Sequence, residues 1–277
     1  MIGNVFSPYY AKHRAKHPSN PLEFCTVNVA CYGKNGGLWA LTERGSSSVE
    51  RSASSLAIGA SRVVRQDDGD LVVHLNERTA PFGRALRGVV RVRPGVWNHD
   101  TFPLDEAGLH RWTPLALNAR ASVELERPRS ARWSGRAYVD TNAGDEPLER
   151  GFRKWDWSRS SGPDSTHVVY DIVRRDGSRA GIRRTFFPDG RHEPLLAIDV
   201  HALQPTRWGV GRSVPSDADR DLKVIRSLED TPFYARTLAA GTMLGKETHL
   251  MHETVDLDRF KRGWVQFLVP FRMRRAA

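Results

Sequence analysis

Two cysteines, no long apolar run and no block of like charges set the first limits on this 277-residue chain. Cys25 and Cys31 lie six apart in an extended-looking run, and at strand rise that is about 20 Å, too far for a disulfide. Both read as small buried hydrophobes, which suits a reducing, intracellular compartment. No window of eighteen apolar residues occurs, so no helix is expected to span a membrane. The N-terminus lacks the charged-then-apolar layout of a signal peptide. Phosphate and cofactor loops are missing as well. Gly33–Gly37 (GKNGG) reads as a hairpin turn, because no Gly-Lys-Ser/Thr follows it. No Gly-x-Gly-x-x-Gly stands between a strand and a helix, and no Gly-x-Ser-x-Gly elbow occurs. No nucleotide or flavin cofactor is therefore expected. His13 and His17 have helical spacing without a metalloprotease glutamate, and His249 and His252 would face opposite ways on a strand, so no metal is expected either.

What is present is basic and rich in short strands. There are 42 Lys+Arg against 32 Asp+Glu, a net charge of +10. Such a surface suits nucleic acid or anionic lipid, although it equally describes a chain in which arginine is simply common. The basic residues are spread out, and neither a recognition helix nor a stacking platform stands out, so nucleic acid is not an expected partner. Apolar residues make up 39% of the chain, enough to build a core. Alternating runs predict strands at Cys25–Tyr32, Leu71–Leu75, Leu86–Val92, Ala121–Leu125, His167–Val173, Arg183–Phe187, Leu195–His201 and Gly263–Val269. Asp68-Gly69, Asp176-Gly177 and Asp189-Gly190 punctuate them as hairpin turns. Helix is expected only over Tyr9–His17, with one turn at Leu257–Phe260. Many short strands with frequent turns predict an all-β chain of antiparallel barrels or sandwiches. A fresh set of strands from Ala121 predicts two domains, 1–120 and 121–277.

Three constellations could carry chemistry. Tyr138 and Asp140 share one face of a strand. If that face looks into an apolar interior, burial keeps the acid protonated and able to donate to carbon. The same Asp could instead open the polar turn Thr141–Asp145 through an Asx hydrogen bond, and the local sequence by itself favours the turn. His110 and Trp112 also share a face; the indole could stabilise a cation, or the pair could be a satisfied core His beside a core Trp. Trp155 and Trp157 stand together on one face and suit a large apolar cavity or a generous core alike.

Taken together, VFSPYYA (Val5–Ala11), VNVACYG (Val27–Gly33), WALTERG (Trp39–Gly45), LDEAGLHRWTPLA (Leu104–Ala116), GRAYVDTNAGDEPLERGF (Gly135–Phe152), WDWSR (Trp155–Arg159), LEDTPFYAR (Leu228–Arg236) and WVQFLVPFRM (Trp264–Met273) resemble the carotenoid 1,2-hydratases, also called hydroxyneurosporene synthases. The resemblance runs in order over nearly the whole chain. It implies two lipocalin-like antiparallel β-barrels. It also implies cofactor-independent addition of water to the terminal 1,2 double bond of an acyclic carotenoid, lycopene or neurosporene, in phototrophic bacteria. On this resemblance Asp140 is the acid, with Tyr138, His110 and Trp112 as its companions. The apolar substrate implies a cytoplasmic protein held peripherally at the inner, photosynthetic membrane. A carrier of an apolar ligand, or an isomerase or cyclase on the same fold, are the competing readings. Related proteins usually carry a further N-terminal segment, with an aromatic strand, before the part matching Ile2–Val5, so either the start lies further upstream or the first barrel lacks its first strand.

Overall fold

Period-two alternation dominates the sequence, and the backbone follows it. The computed structural model describes residues 1–33, 36–195 and 198–276. In chain order the strands are β1 (Cys25–Gly33), β2 (Gly36–Arg44), β3 (Val49–Arg51), β4 (Ser55–Ile58), β5 (Ser61–Arg65), β6 (Leu71–Arg78), β7 (Ala85–Arg93), β8 (Phe102–Pro103), β9 (His110–Arg127) and β10 (Ala131–Gly144). They continue with β11 (Phe152–Ser161), β12 (Thr166–Arg174), β13 (Arg179–Phe186), β14 (His192–Pro194), β15 (Val200–Leu203), β16 (Arg212–Pro215), β17 (Lys223–Asp230), β18 (Tyr234–Met243), β19 (Lys246–Asp256) and β20 (Arg274–Arg275). Helices are short: α1 (Pro8–Arg14), α2 (Leu148–Gly151), α3 (Leu257–Phe260) and α4 (Gly263–Leu268). The chain is all-β, as its pattern predicts.

One compact unit comprises Met1–Pro94, Ala119–Ala137 and Gln266–Ala277; the other comprises Gly95–Asn118 and Tyr138–Val265. In the first unit, Ala40, Leu86 and Leu125 form a core with Val29, Leu38, Val123 and Ala131 packed on it. The Thr-Glu-Arg-Gly run ends β2 inside this unit. Arg44 pairs with the buried Glu77 at 3.0 Å, and Ser61 Oγ donates to the same carboxylate at 2.6 Å. That pairing is what allows a charge to stay buried there. In the second unit a seven-stranded sheet runs β14-β13-β12-β11-β19-β18-β17. Val169, Leu195, Ile198, Val214, Met243 and Leu250 make its main apolar cluster. A polar seam links β11 to β19: His252 bonds Ser158 at 2.8 Å and Thr254 at 2.9 Å, and Thr254 Oγ1 donates to Asp156 at 2.5 Å. Satisfied in this way, these buried groups fix the register of the two strands.

Three expectations need correction. The barrels are not closed among the described residues. The eight-stranded sheet ends at β10 and β3, and the seven-stranded sheet at β14 and β17. β3 and β14 are three residues each, too short to ladder onto a long strand and close the ring. The chain passes between the two units at Asn118/Ala119, close to the expected boundary at Ala121 and inside β9, and it passes between them again at Pro94/Gly95, Ala137/Tyr138 and Val265/Gln266. Gly263–Val269 is not a strand: Trp264, Phe267 and Phe271 recur at helical spacing, and α4 followed by a 3-10 turn at Val269–Phe271 satisfies them. Thr141–Gly144 is not a turn either, since β10 continues to Gly144. Lys34 and Asn35 of the expected hairpin turn lie outside the described residues, as do Leu196 and Ala197 of the expected strand Leu195–His201; β15 begins at Val200.

Gly88 sits at the β-bulge where β7 meets β9, and a Cβ there would stand 2.4 Å from the Glu124 carbonyl oxygen. Backbone cannot yield as a flexible side chain can. Gly88→Ala is expected to lower stability by about 1–3 kcal/mol without changing the fold, read as a lower urea midpoint at unchanged slope.

Candidate active site

Strand alternation on β9 puts His110 and Trp112 on one buried face. Alternation on β10 puts Tyr138 and Asp140 together. The structure joins three of these four directly. The Trp112 indole Nε1 donates to Asp140 Oδ2 at 2.9 Å, and the Tyr138 hydroxyl donates to the same oxygen at 2.8 Å. The indole N–H also lies 3.3 Å from the Tyr138 hydroxyl. Both donors therefore meet Oδ2, which leaves Oδ1 free of them. This geometry explains why Asp140 does not open a turn: its carboxyl is engaged by side chains of the site.

The surroundings are aromatic. Trp112 is fully buried. It packs on Phe102 at 5.6 Å and meets Tyr170 and Phe186 edge-on at 6.0 and 6.3 Å. Tyr138 packs on Trp157 at 5.3 Å, and Trp155 meets Tyr170 at 6.3 Å. Burial pushes the Asp140 carboxyl up, and the charge of Glu253 adds to this. The hydrogen bonds from Trp112 and Tyr138 and the charge of Arg159 pull it down, and the net direction is upward. Burial likewise drives the Tyr138 hydroxyl well above its ordinary value, with the Asp140 charge acting in the same direction. The phenol is therefore a proton-bearing donor at neutral pH.

His110 occupies a different set of contacts. Its ring packs on Phe152 at 4.7 Å, and its Nε2 stands 3.5 Å from Glu146. Two glycines make room for it. A Cβ on Gly144 would stand 2.7 Å from His110 Nδ1, and one on Gly151 would stand 3.1 Å from Nε2. The backbone of the same turn is pinned by Asp105, which accepts the amides of Leu109 at 3.0 Å and His110 at 2.7 Å. Arg111 then grips Asp145 with two bonds, at 2.8 and 3.2 Å. The Leu104–Ala116 and Gly135–Phe152 segments are thus two halves of one interlock, which holds the end of β10 against β9.

Sequence reasoning missed the charged residues of this face. The Arg159 guanidinium lies 4.8 Å over the Tyr138 ring. Glu253 pairs with Arg236 at 2.9 Å, and Arg236 also reaches Glu229 at 3.2 Å. Arg159 was within reach, since it follows Trp155 and Trp157 at the same two-residue step. Glu253 was not: it comes to Trp157 only through the β11–β19 register.

The whole chain, residues 1–277, matches the family described as Carotenoid hydratase CrtC. The chain belongs to that family. It is 41% identical over 276 residues to the acyclic carotenoid 1,2-hydratase of Thiocapsa roseopersicina, covering 99% of this chain and 68% of that protein. It is 34% identical over 276 residues to the acyclic carotenoid 1,2-hydratase of Cereibacter sphaeroides, covering 99% of this chain and 96% of that protein. Among solved structures it is similar to one assigned to AttH from Nitrosomonas europaea, with a TM-score of 0.54 at 12% identity over 79% of this chain and 75% of that one. That last likeness is one of fold alone.

A raised folded-state pKa has a consequence for stability. The folded state holds a proton on Asp140 at pH values where the unfolded chain has released it. The group's contribution is therefore present below the ordinary carboxylate pKa and is lost as pH rises through the raised one. Asp140→Asn, which stays neutral, is expected to raise Tm at neutral and alkaline pH. That gain should shrink toward pH 4. A gain independent of pH would be inconsistent with a raised Asp140.

Proposed function

We propose that this chain adds water to the terminal 1,2 double bond of an acyclic carotenoid, with Asp140 as the acid and lycopene or neurosporene as substrates. The observation that carries the reading is the convergence of Trp112 and Tyr138 on Asp140 Oδ2. In the neutral acid an oxygen accepting two hydrogen bonds is the carbonyl oxygen, so the proton sits on Oδ1, the oxygen left for a substrate. A trisubstituted alkene is weakly basic. Proton transfer from Oδ1 to C2 leaves a tertiary cation at C1 and a carboxylate on Asp140. The two donors and the Arg159 charge then stabilise that carboxylate, and they do so in surroundings where water does not screen them. The rings around the site face the cation. Water attacks C1, and the resulting oxonium returns its proton to Asp140, directly or through a second water. Atoms and charge balance, and the acid is restored for the next turnover.

Within this reading Trp112 serves first as a hydrogen-bond donor, its ring being enclosed by Phe102, Tyr170 and Phe186. His110 is a positioning residue: seated between Gly144 and Gly151, it sets where β10 delivers Asp140. Burial keeps the acid protonated, the charge of Glu253 adds to it, and Arg236 holds Glu253 in place.

Incubation with lycopene in detergent should give a product heavier by one water, with Asp140→Asn inactive although folded. Pigment retained without mass gain would favour a carrier, and mass unchanged with an altered spectrum would favour an isomerase or cyclase. Tyr138→Phe removes a donor that lowers the Asp140 pKa. The alkaline limb of its pH–rate profile should therefore move to higher pH while kcat falls by about a hundredfold. A limb that stays in place would contradict the role given to the phenol.

A further inference from the structure

Three phenylalanines are left largely in solvent: Phe82 at 81%, Phe267 at 68% and Phe271 at 66% exposure. All three belong to the first compact unit. Isolated exposed apolar side chains need no explanation, but these are not isolated. Phe267 and Phe271 pack edge to face at 5.4 Å along the C-terminal segment. Trp39 of β2 ties that segment to the loop carrying Phe82. Its indole donates to the Arg272 carbonyl at 3.2 Å, and its own carbonyl accepts the Ala80 amide at 2.9 Å. A Cβ on Gly83, the residue after Phe82, would lie 3.6 Å from Arg274 Nη1. The two aromatic elements are therefore neighbours.

Arginines flank the aromatic side chains. Arg84 lies 6.0 Å from the Phe82 ring, and Arg272 lies 4.8 Å over Trp39. Arg78 braces the Phe82 loop by donating to the Gly83 carbonyl at 3.0 Å. Neither Thr79–Pro94 nor Arg259–Ala277 contains an Asp or Glu. Exposed aromatics with neighbouring arginines, on two segments that carry no acid of their own, suit a surface that is apolar within and anionic above. That is the headgroup region of an anionic bilayer, where aromatic rings settle at the interface and arginines meet phosphate.

We infer that Phe82, Phe267 and Phe271, with Arg84, Arg272 and Arg274, form the surface by which this protein docks on an anionic membrane. The inference rests on the carotenoid reading only for its purpose: a hydrocarbon substrate has to be taken from a bilayer. The surface itself is argued from exposure and charge. None of its residues belongs to the Asp140 cluster.

The test is co-sedimentation of the full chain with phosphatidylcholine vesicles containing phosphatidylglycerol, beside measurement of lycopene hydration in detergent. The F82S/F267S/F271S variant should bind these vesicles about tenfold or more weakly, with Tm and detergent activity unchanged. A second variant, R84E/R274E, should lose binding to the anionic vesicles by about tenfold and differ little from the parent on phosphatidylcholine alone. Equal binding by both variants and the parent, or a parent that ignores anionic vesicles, would overturn the docking surface. Vesicle binding lost in the variants while no chain hydrates lycopene would leave the surface standing and remove the carotenoid reading instead.

Discussion

Two donors, one indole and one phenol, converge on a single oxygen of Asp140, and the rest of the second unit is arranged around that convergence. Burial alone would give a neutral acid whose anion is too costly to form, because an unpaired buried charge is penalised by several kcal/mol. Hydrogen bonds alone would give an ordinary carboxylate, ionised at neutral pH and unable to donate. The structure combines the two, and the net direction for Asp140 is upward. Burial therefore outweighs the donors in the resting protein, and the donors become most useful at the moment the charge appears. In the proposed reaction a group tuned this way acts as a stronger acid toward a bound alkene than its raised pKa in the free protein suggests.

Keeping three side chains from two strands within hydrogen-bond distance requires that β9 and β10 cannot slip. A one-residue shift would send Tyr138 and Asp140 to the opposite face. The interlock below the site prevents it. His110 fills the space left by Gly144 and Gly151, while Asp105 and Arg111 hold the turn from either side. The density of glycine and acid in Gly144–Gly151 is thus a packing requirement of one histidine and one arginine, and it serves the acid at a distance of four residues along β10.

Much of this was legible in the sequence, and for identifiable reasons. Period-two alternation gave the strands and the shared faces of His110/Trp112 and Tyr138/Asp140, since side-chain direction on a strand follows from residue parity alone. Parity says nothing about which strand lies beside which. That is why Arg159 over Tyr138 and Glu253 beside Trp157 were not foreseen: both depend on the β11–β19 ladder and on how β10 packs against that sheet. The contacts of His110 fall in the same gap. Its face was right, but its neighbours are Phe152 and Glu146, contributed by residues more than thirty positions along the chain. The C-terminal run was read as a strand because Trp, Val and Phe favour strands. Its apolar residues stand at helical spacing, and only Val265 is buried.

The charges near Asp140 raise a last question, which is how aromatic surroundings can hold Arg159, Arg236, Glu229 and Glu253. Separately each would be costly to bury. They are mutually compensating: Arg236 joins Glu229 and Glu253, and Arg159 lies on the Tyr138 ring with its charge directed at Asp140 and Glu253. In the proposed reaction the protein's charge balance changes only at Asp140, by one negative charge, while the substrate gains one positive charge a bond length away. A fixed array that already contains both signs can meet that separation without moving, which water in the same place could do only by reorienting. The polar groups thus do not compete with the aromatic surroundings of Asp140. In the proposed reaction they allow a neutral acid and a neutral alkene to become an ion pair.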